Sequence, residues 1–335
     1  MKTPPRLVAG DELRVLALSR SLGGVMRYPG FTREDVAFAT KQLVSVGLKV
    51  TFGRYAEECN PHLTAEPEHR LEDFHKAIAA PNVKAILAVS GGQGAIQLLD
   101  GLDYRSVTDH PKIICGYSDN AFVLNAVTAR SGVVTYYGPN FTSFMMRSGG
   151  DYTLKSFQRC LFQGGPDELQ PSNQWSDDAW HSDQEHRTFH PNDGLWPVQS
   201  GEGQGTIYGG SIWCFTFLQG SPYFPPLENS ILFLELVPEG KATLMALDTG
   251  LRALSFQPGF GKVRGIVLGR FPRACGITLE NLRQVLSRIE PLNGLPIAAN
   301  VDFGHTTPML TLPLGARCTM QVSDDPPRVS LRTDS

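Results

Sequence analysis

Short apolar runs alternate with helical patterns as far as residue 137 of this 335-residue chain. The runs are bounded by turn residues and predict buried strands at 13–18, 48–52, 83–89, 112–117 and 133–137. Between them, apolar residues at helical spacing predict helices at 32–46, 71–80, 94–102 and 120–129. Strands that alternate with helices through short connections indicate a parallel sheet covered by helices.

The pattern breaks between residues 164 and 204, where polar residues, glycines and prolines dominate. We expect a connector that carries a substrate loop there, because long ordered connectors are often binding loops or lids. A mixed pattern then resumes. It predicts helices at 243–254 and 279–289, and strands at 231–236, 263–268, 296–301, 318–322 and 329–331.

These patterns predict an α/β fold with two domains. Residues 1–163 form an N-terminal domain, Rossmann-like with a parallel sheet, that carries the nucleophile proposed below. Residues 164–204 form the connector, and residues 205–335 form a smaller mixed α/β C-terminal domain. A chain of this length can bury two cores.

Composition narrows the function classes. The formal net charge of −3 gives no electrostatic reason to expect nucleic acid or an anionic membrane as a partner. Charges interrupt the apolar run at the N-terminus, and no stretch approaches about 20 apolar residues, so we expect a cytoplasmic protein. The six cysteines form no CxxC pair, and His181, His186 and His190 lack a ligand pattern, so neither disulfides nor a metal are expected.

Ser118 lies at the sharpest local feature, the sequence Cys-Gly-Tyr-Ser-Asp-Asn after a buried apolar run. A serine at a tight turn from strand to helix projects its hydroxyl above the sheet, as a nucleophile does. The N–H of Asp119 would then help to stabilise an oxyanion. The alternative is that Ser118 only caps the helix, since the second glycine of G-x-S-x-G is missing.

Glycines follow another predicted strand, in the sequence Ser-Gly-Gly-Gln-Gly at 90–94. Such glycines let backbone amides approach a ligand. The loop is interpreted as the other half of an oxyanion hole, with Gly91 or Gly92 donating, as an anion cradle, or as a plain turn. Loops at the carboxyl ends of parallel strands gather at one edge, so this loop and Ser118 should lie together.

His305 and Glu235 are the candidate partners of Ser118. His305 follows an apolar strand in a loop of Gly, Thr and Pro, and histidine is the usual base for a serine nucleophile. Glu235 ends the run Ile-Leu-Phe-Leu-Glu, where burial of a carboxylate requires a partner. Asp302, Glu239 and Asp119 are rival carboxylates, and spacing alone does not choose among them.

Taken together, the motifs GGQG, GYSD, ILFLEL and FGHTTP make the chain resemble the LD-carboxypeptidase family of serine peptidases, most closely its microcin C self-immunity branch. The resemblance implies a nucleophile at Ser118, a glutamate at Glu235 and a base at His305. It also implies an oxyanion hole from Asp119 and Gly92, with Gly91 on the substrate side. A homodimer without a metal or cofactor is expected.

The same resemblance bears on the substrate. It implies a connector tryptophan, Trp180 or Trp175, that stacks on a nucleotide-like group, although both could instead pack the connector onto its domain. The expected substrate is therefore a small peptide or an aminoacyl-nucleotide conjugate. The alternatives are trimming of D-alanine from muropeptides and a binding protein without turnover. Ser211 and Leu236 depart from residues common in the family, which bears on specificity.

Overall fold

The amino-terminal half builds an alternating series of strands and helices. The computed structural model describes residues 1–164, 168–325 and 327–334. The elements up to residue 163 are β1 (Glu12–Leu16), α1 (Leu22–Val25), α2 (Arg33–Ser45), β2 (Lys49–Phe52), α3 (Pro67–Ala79), β3 (Val83–Ala88), α4 (Tyr104–Asp109), β4 (Ile113–Gly116), α5 (Ala121–Ser131), β5 (Thr135–Tyr137) and α6 (Asp151–Gln158), with 3-10 turns at Ala95–Gly101, Ser118–Asn120 and Phe141–Met145 and a π-helical turn at Arg159–Gln163.

The rest of the chain is richer in strands. Its elements are β6 (Gln174–Trp175), β7 (His190–Pro191), β8 (Trp196–Gln199), β9 (Gly201–Ser211), α7 (Ile212–Phe217), β10 (Ser230–Glu235), α8 (Thr243–Ser255), β11 (Gly265–Gly269), α9 (Leu279–Leu286), β12 (Ile297–Val301), β13 (Leu312–Leu314), β14 (Arg317–Asp324) and β15 (Pro327–Asp334), with 3-10 turns at Phe260–Lys262, Arg273–Cys275 and Glu290–Leu292.

The first sheet has the order β13-β5-β4-β3-β1-β2. Its strands run parallel except β13, which pairs antiparallel with β5. The central strands are buried along most of their length, as continuous apolar runs predict for a sheet covered on both faces. The carboxyl ends of these parallel strands therefore form one edge, where their loops meet.

The second sheet has the order β15-β14-β9-β10-β11-β12-β8. β9 to β12 are parallel, and antiparallel strands complete both sides. The predicted α/β fold class is confirmed, with a parallel sheet followed by a mixed one. The domain limits stay a prediction, and residues 165–167 of the predicted connector lie outside the described residues. Among the residues that the structure describes, none of the helices has the length and apolar character that crossing a bilayer requires.

Two local differences from the sequence predictions have physical causes. The segment predicted as a helix at 94–102 is the 3-10 turn Ala95–Gly101, which begins after Gly94 at a φ of 108°. β9 was not predicted, because its glycines hide the strand pattern. They are needed where backbones approach closely, since a Cβ on Gly209 would lie 2.1 Å from the carbonyl oxygen of Phe233.

Candidate active site

Ser118 occupies a strained turn between β4 and α5. Its φ of 63° lies in the left-handed region, which costs a non-glycine residue about 1–2 kcal/mol. Two amides hold the turn. Asn120 donates through Nδ2 to the carbonyl oxygens of Ser90 (3.0 Å) and Tyr117 (3.2 Å), and Asn140 Oδ1 accepts from both the Tyr117 N–H (3.1 Å) and Asn120 Nδ2 (3.1 Å). These hydrogen bonds thus hold Ser118 in a turn of the kind that a nucleophile elbow requires.

Three side chains from distant parts of the chain meet at this turn. His305 Nε2 lies 3.1 Å from Ser118 Oγ, and His305 Nδ1 lies 2.7 Å from Glu235 Oε2. A carboxylate only accepts, so Nδ1 carries the proton and Nε2 is left to accept from the serine hydroxyl. The structure therefore brings together the three residues that the sequence predicted as a triad.

Glu235 is 2% exposed at the end of β10. Two glycines make room for its side chain, because a Cβ on either Gly269 or Gly304 would come within 2.9 Å of Glu235 Cβ. Its second oxygen accepts a hydrogen bond from the Tyr137 hydroxyl at 2.6 Å. Burial lowers the pKa of His305, but the charge of Glu235 and its hydrogen bond raise it by more, so the pKa lies above the ordinary value of 6.5.

Two of the rival carboxylates have other partners, and the third is exposed. Asp302 forms a buried ion pair with Arg270 at 2.8 Å and accepts from the Ser172 N–H at 2.7 Å. Asp119 Oδ2 accepts from Ser19 Oγ (2.5 Å) and from the Ala95 N–H (2.8 Å). Glu239 is exposed on a loop after β10. Within the described residues, the carboxylate hydrogen-bonded to His305 is Glu235.

The glycine loop at 91–94 packs directly against Ser118. A Cβ on Gly91 would lie 2.8 Å from Ser118 Cβ, so only glycine fits there. A Cβ on Gly92 would instead face Ser19 and Arg20, at 3.2 and 3.1 Å. The N–H of Ser118 is engaged with the Tyr137 hydroxyl oxygen at 3.1 Å. The oxyanion roles of Asp119 and Gly92 stay predictions.

A cleft of about 700 Å³ opens in front of Ser118 and His305. From the first half of the chain and the connector, its lining includes Arg20, Tyr28, Phe31, Gly92, Trp180 and His181. From the second half, its lining includes Ser211, Ile212, Trp213, Leu236, Val237 and Glu239. Gly91 of the glycine loop also lines the cleft.

The two candidate tryptophans have different surroundings. Trp180 lines the cleft and meets Phe31 edge to face, with ring centroids 5.7 Å apart. Trp175 is absent from the residues that line this cleft. Its ring lies 5.0 Å from the guanidinium carbon of Arg270 and 5.5 Å from the His190 ring. Trp175 therefore packs the connector near the Arg270–Asp302 pair, and Trp180 is the better placed of the two to meet a substrate.

Sequence reasoning missed Tyr137, which joins two members of the site through one hydroxyl. It also missed Arg20 and the pair Asn120–Asn140. The signal available for Tyr137 and Asn140 was their place at or just beyond the carboxyl end of β5, the edge where the loops were expected to gather. For Arg20 the corresponding signal was its position shortly after β1.

No group of three or more His, Cys, Asp or Glu side chains in the described part of the chain could hold a metal ion. At the site itself, Ser118, His305 and Glu235 present a hydroxyl, an imidazole and a carboxylate in hydrogen-bonded series. Such a series can generate an oxygen nucleophile and return the proton to a leaving group.

Comparison with known proteins identifies the family. Residues 15–138 match the LD-carboxypeptidase N-terminal domain, and residues 204–320 match the LD-carboxypeptidase C-terminal domain. The chain is 37% identical to the putative carboxypeptidase YocD of Bacillus subtilis, over 97% of both chains. The crystal structure of an MccF-like protein from Bacillus anthracis superposes with a TM-score of 0.96, at 39% identity over 100% of both chains.

The microcin C7 self-immunity protein MccF of Escherichia coli is a more distant relative. It is 28% identical over 81% of this chain and 80% of its own length. Its structure in complex with aspartyl sulfamoyl adenosine gives a TM-score of 0.82 at 25% identity, over 99% of this chain and 98% of that chain. MccF is therefore similar to this chain in structure over nearly the whole of both chains. By both domain matches and by these relatives, the chain belongs to the LD-carboxypeptidase family of peptidases.

Proposed function

We propose that the chain is a serine hydrolase that cleaves an amide bond in a small peptide or an aminoacyl-nucleotide conjugate. Ser118 is the nucleophile, His305 the general base and Glu235 the residue that orients it. The observation that carries the proposal is the position of His305 between Ser118 Oγ at 3.1 Å and Glu235 Oε2 at 2.7 Å.

The proposed reaction follows the path of one proton, from the Ser118 hydroxyl to His305 and then to the leaving amine. His305 Nε2 takes the hydroxyl proton as Ser118 Oγ attacks the amide carbonyl, and Glu235 stabilises the imidazolium that forms. Backbone N–H groups of Asp119 and of the glycine loop at Gly92 stabilise the developing oxyanion. The imidazolium then gives its proton to the leaving amine, and water releases the acyl group by the same route.

The aromatic wall of the cleft supports a substrate with a flat ring. Trp180, Phe31 and Tyr28 all line the cleft, and stacking of a base on an aromatic side chain is worth about 1–3 kcal/mol. The relative MccF has been solved with aspartyl sulfamoyl adenosine, in which a nucleoside is joined to an amino acid. We therefore favour the aminoacyl-nucleotide conjugate over the muropeptide.

The test compares hydrolysis of aspartyl sulfamoyl adenosine with release of D-alanine from a muropeptide tetrapeptide. Wild type is expected to cleave the conjugate faster. Ser118→Ala should remove turnover of both, while Ser45→Ala, an exposed serine on α2, serves as the matched control. Unchanged hydrolysis in Ser118→Ala would contradict the nucleophile, and tight binding without turnover would favour a binding protein.

We also propose a homodimer, as the family resemblance implies. Trp213 and Phe217 on α7 are 53% and 58% exposed, with ring centroids 4.3 Å apart, and offer apolar surface to a second copy. Light scattering at micromolar concentration should give twice the chain mass. A monomer under those conditions would contradict this proposal, and the cytoplasmic location also stays a prediction.

A further inference from the structure

Arg20 places a cation in the cleft. Among the described residues that line the cleft, Arg20 is the one whose side chain carries a permanent positive charge. Its guanidinium carbon lies 4.5 Å from the centre of the Tyr28 ring. Within the described residues no carboxylate pairs with it and no acceptor binds it. The charge is therefore available to a ligand.

The side chain of Arg20 is held before any ligand arrives. Cβ atoms built on Gly24 and Gly92 would lie 3.0 Å from its Cγ and 3.1 Å from its Cβ, so its stem runs between two backbone segments. The Tyr28 ring supports the guanidinium by a cation–π contact. A group restrained in this way loses less freedom on binding, which favours affinity.

The position of Arg20 relative to Ser118 sets what it can reach. Gly91 packs on the Ser118 side chain and Gly92 packs on the Arg20 side chain. These are consecutive residues, whose Cα atoms lie about 3.8 Å apart. In addition, Ser19 is hydrogen-bonded to Asp119, the residue after the nucleophile. The two side chains therefore flank one short stretch of backbone, and both line the same cleft, so that one small substrate can meet both.

For a small-peptide substrate, the other class named in the proposed function, we infer that Arg20 binds the free carboxylate of the residue that leaves when the amide bond is cut. A planar guanidinium can bind a carboxylate through two parallel hydrogen bonds, which lysine cannot do. This inference rests on the proposed function. It assigns to Arg20 the recognition of the C-terminal carboxylate by which a carboxypeptidase selects its substrate. In a peptide joined through α-amide bonds and without acidic side chains, Arg20 would favour cleavage of the last amide bond, because there the carboxylate one residue beyond the scissile carbonyl is the free C-terminus.

The experiment measures binding to the Ser118→Ala variant, so that it does not depend on turnover. The probes are a muropeptide tetrapeptide that ends in D-alanine, the same peptide as its C-terminal amide, and aspartyl sulfamoyl adenosine. Arg20→Gln should weaken binding of the free acid by about 10- to 100-fold and leave binding of the amide unchanged. Arg20→Lys should recover part of the loss, and Arg27→Gln, a nearby exposed arginine, should have no effect.

Equal affinity of the parent for acid and amide, or no measurable binding of the acid, would overturn the inference. So would a loss confined to aspartyl sulfamoyl adenosine, which would assign Arg20 to the nucleotide linker. Failure of the proposed function is seen separately, as hydrolysis that persists in Ser118→Ala. Thermal unfolding of each variant shows whether the fold is retained.

Discussion

Replacing Glu235 by glutamine changes one oxygen of the site to an amide nitrogen and nearly preserves its shape. The Tyr137 hydroxyl has one proton, and its oxygen already accepts from the Ser118 N–H. That proton therefore points at residue 235, and the glutamine must turn its carbonyl oxygen toward Tyr137. The amide NH₂ then faces His305 Nδ1, which must accept, so the ring proton moves to Nε2 and blocks transfer from Ser118.

The size of the effect follows from two losses. Turning the glutamine the productive way leaves the Tyr137 proton without an acceptor in a buried site, which costs about 1–3 kcal/mol. The neutral amide also no longer stabilises the imidazolium, a loss of about 1.5–3 kcal/mol for a hydrogen bond to a charged group. Together these predict a fall in kcat/KM of roughly 10²- to 10⁴-fold.

A double-mutant cycle distinguishes this reasoning from simple damage. Tyr137→Phe removes the proton that orients the glutamine, so it should cost less activity in the Glu235→Gln background than in wild type, or restore some. Steady-state hydrolysis of the four proteins gives the coupling, with thermal unfolding to confirm that each is folded. Near wild-type activity in Glu235→Gln, or strictly multiplicative losses, would refute the tautomer argument.

Three further predictions test the surroundings of the site. The raised pKa of His305 places the acid limb of kcat/KM above pH 6.5, because the base must be neutral, and a pH profile measures it. Burial raises the pKa of Glu12, but hydrogen bonds from Thr51 and Arg14 lower it by more, so the pKa falls from 4.5 to about 2. Its roughly 3 kcal/mol of stability is thus present above pH 4.5 and lost as the pH falls toward 2, so denaturant titrations of Glu12→Gln should show a weaker pH dependence. Asp119→Ala leaves two buried donors unpaired, and should lower stability by roughly 2–4 kcal/mol together with activity, read by urea unfolding and hydrolysis.

Each of these has a contradicting result. An acid limb below pH 6.5 would mean that the carboxylate does not raise the basicity of the imidazole. An identical acid response in wild type and Glu12→Gln would remove that carboxylate from the stability argument. Full activity and stability in Asp119→Ala would show that the hydrogen bonds of Asp119 with Ser19 and Ala95 do not hold the turn at Ser118.

The sequence predicted the parallel sheet because its strands are continuous apolar runs, which report burial on both faces without help from the rest of the chain. Ser118 and His305 were found for a related reason, since each follows such a strand at the edge where loops meet. β9 was not predicted because its glycines allow close contact with β10, and a glycine in the sequence does not indicate which strand lies beside it.

The choice of Glu235 among several carboxylates, and the role of Tyr137, could not be worked out from spacing. Tyr137 and Glu235 are 98 positions apart, and Ser118 and His305 are 187 apart. Such pairs depend on how two sheets face one another, which local patterns do not encode. The family resemblance supplied Glu235 because it carries that information from other members, but it named neither Tyr137 nor Arg20.

The most direct test of the central claim is covalent labelling with a fluorophosphonate, with the modified residue located by mass spectrometry. We predict one adduct, on Ser118, that forms faster as the pH rises through the pKa of His305 and is lost in His305→Ala. An unlabelled Ser118 in folded protein, or labelling that proceeds equally well without the imidazole, would contradict the account.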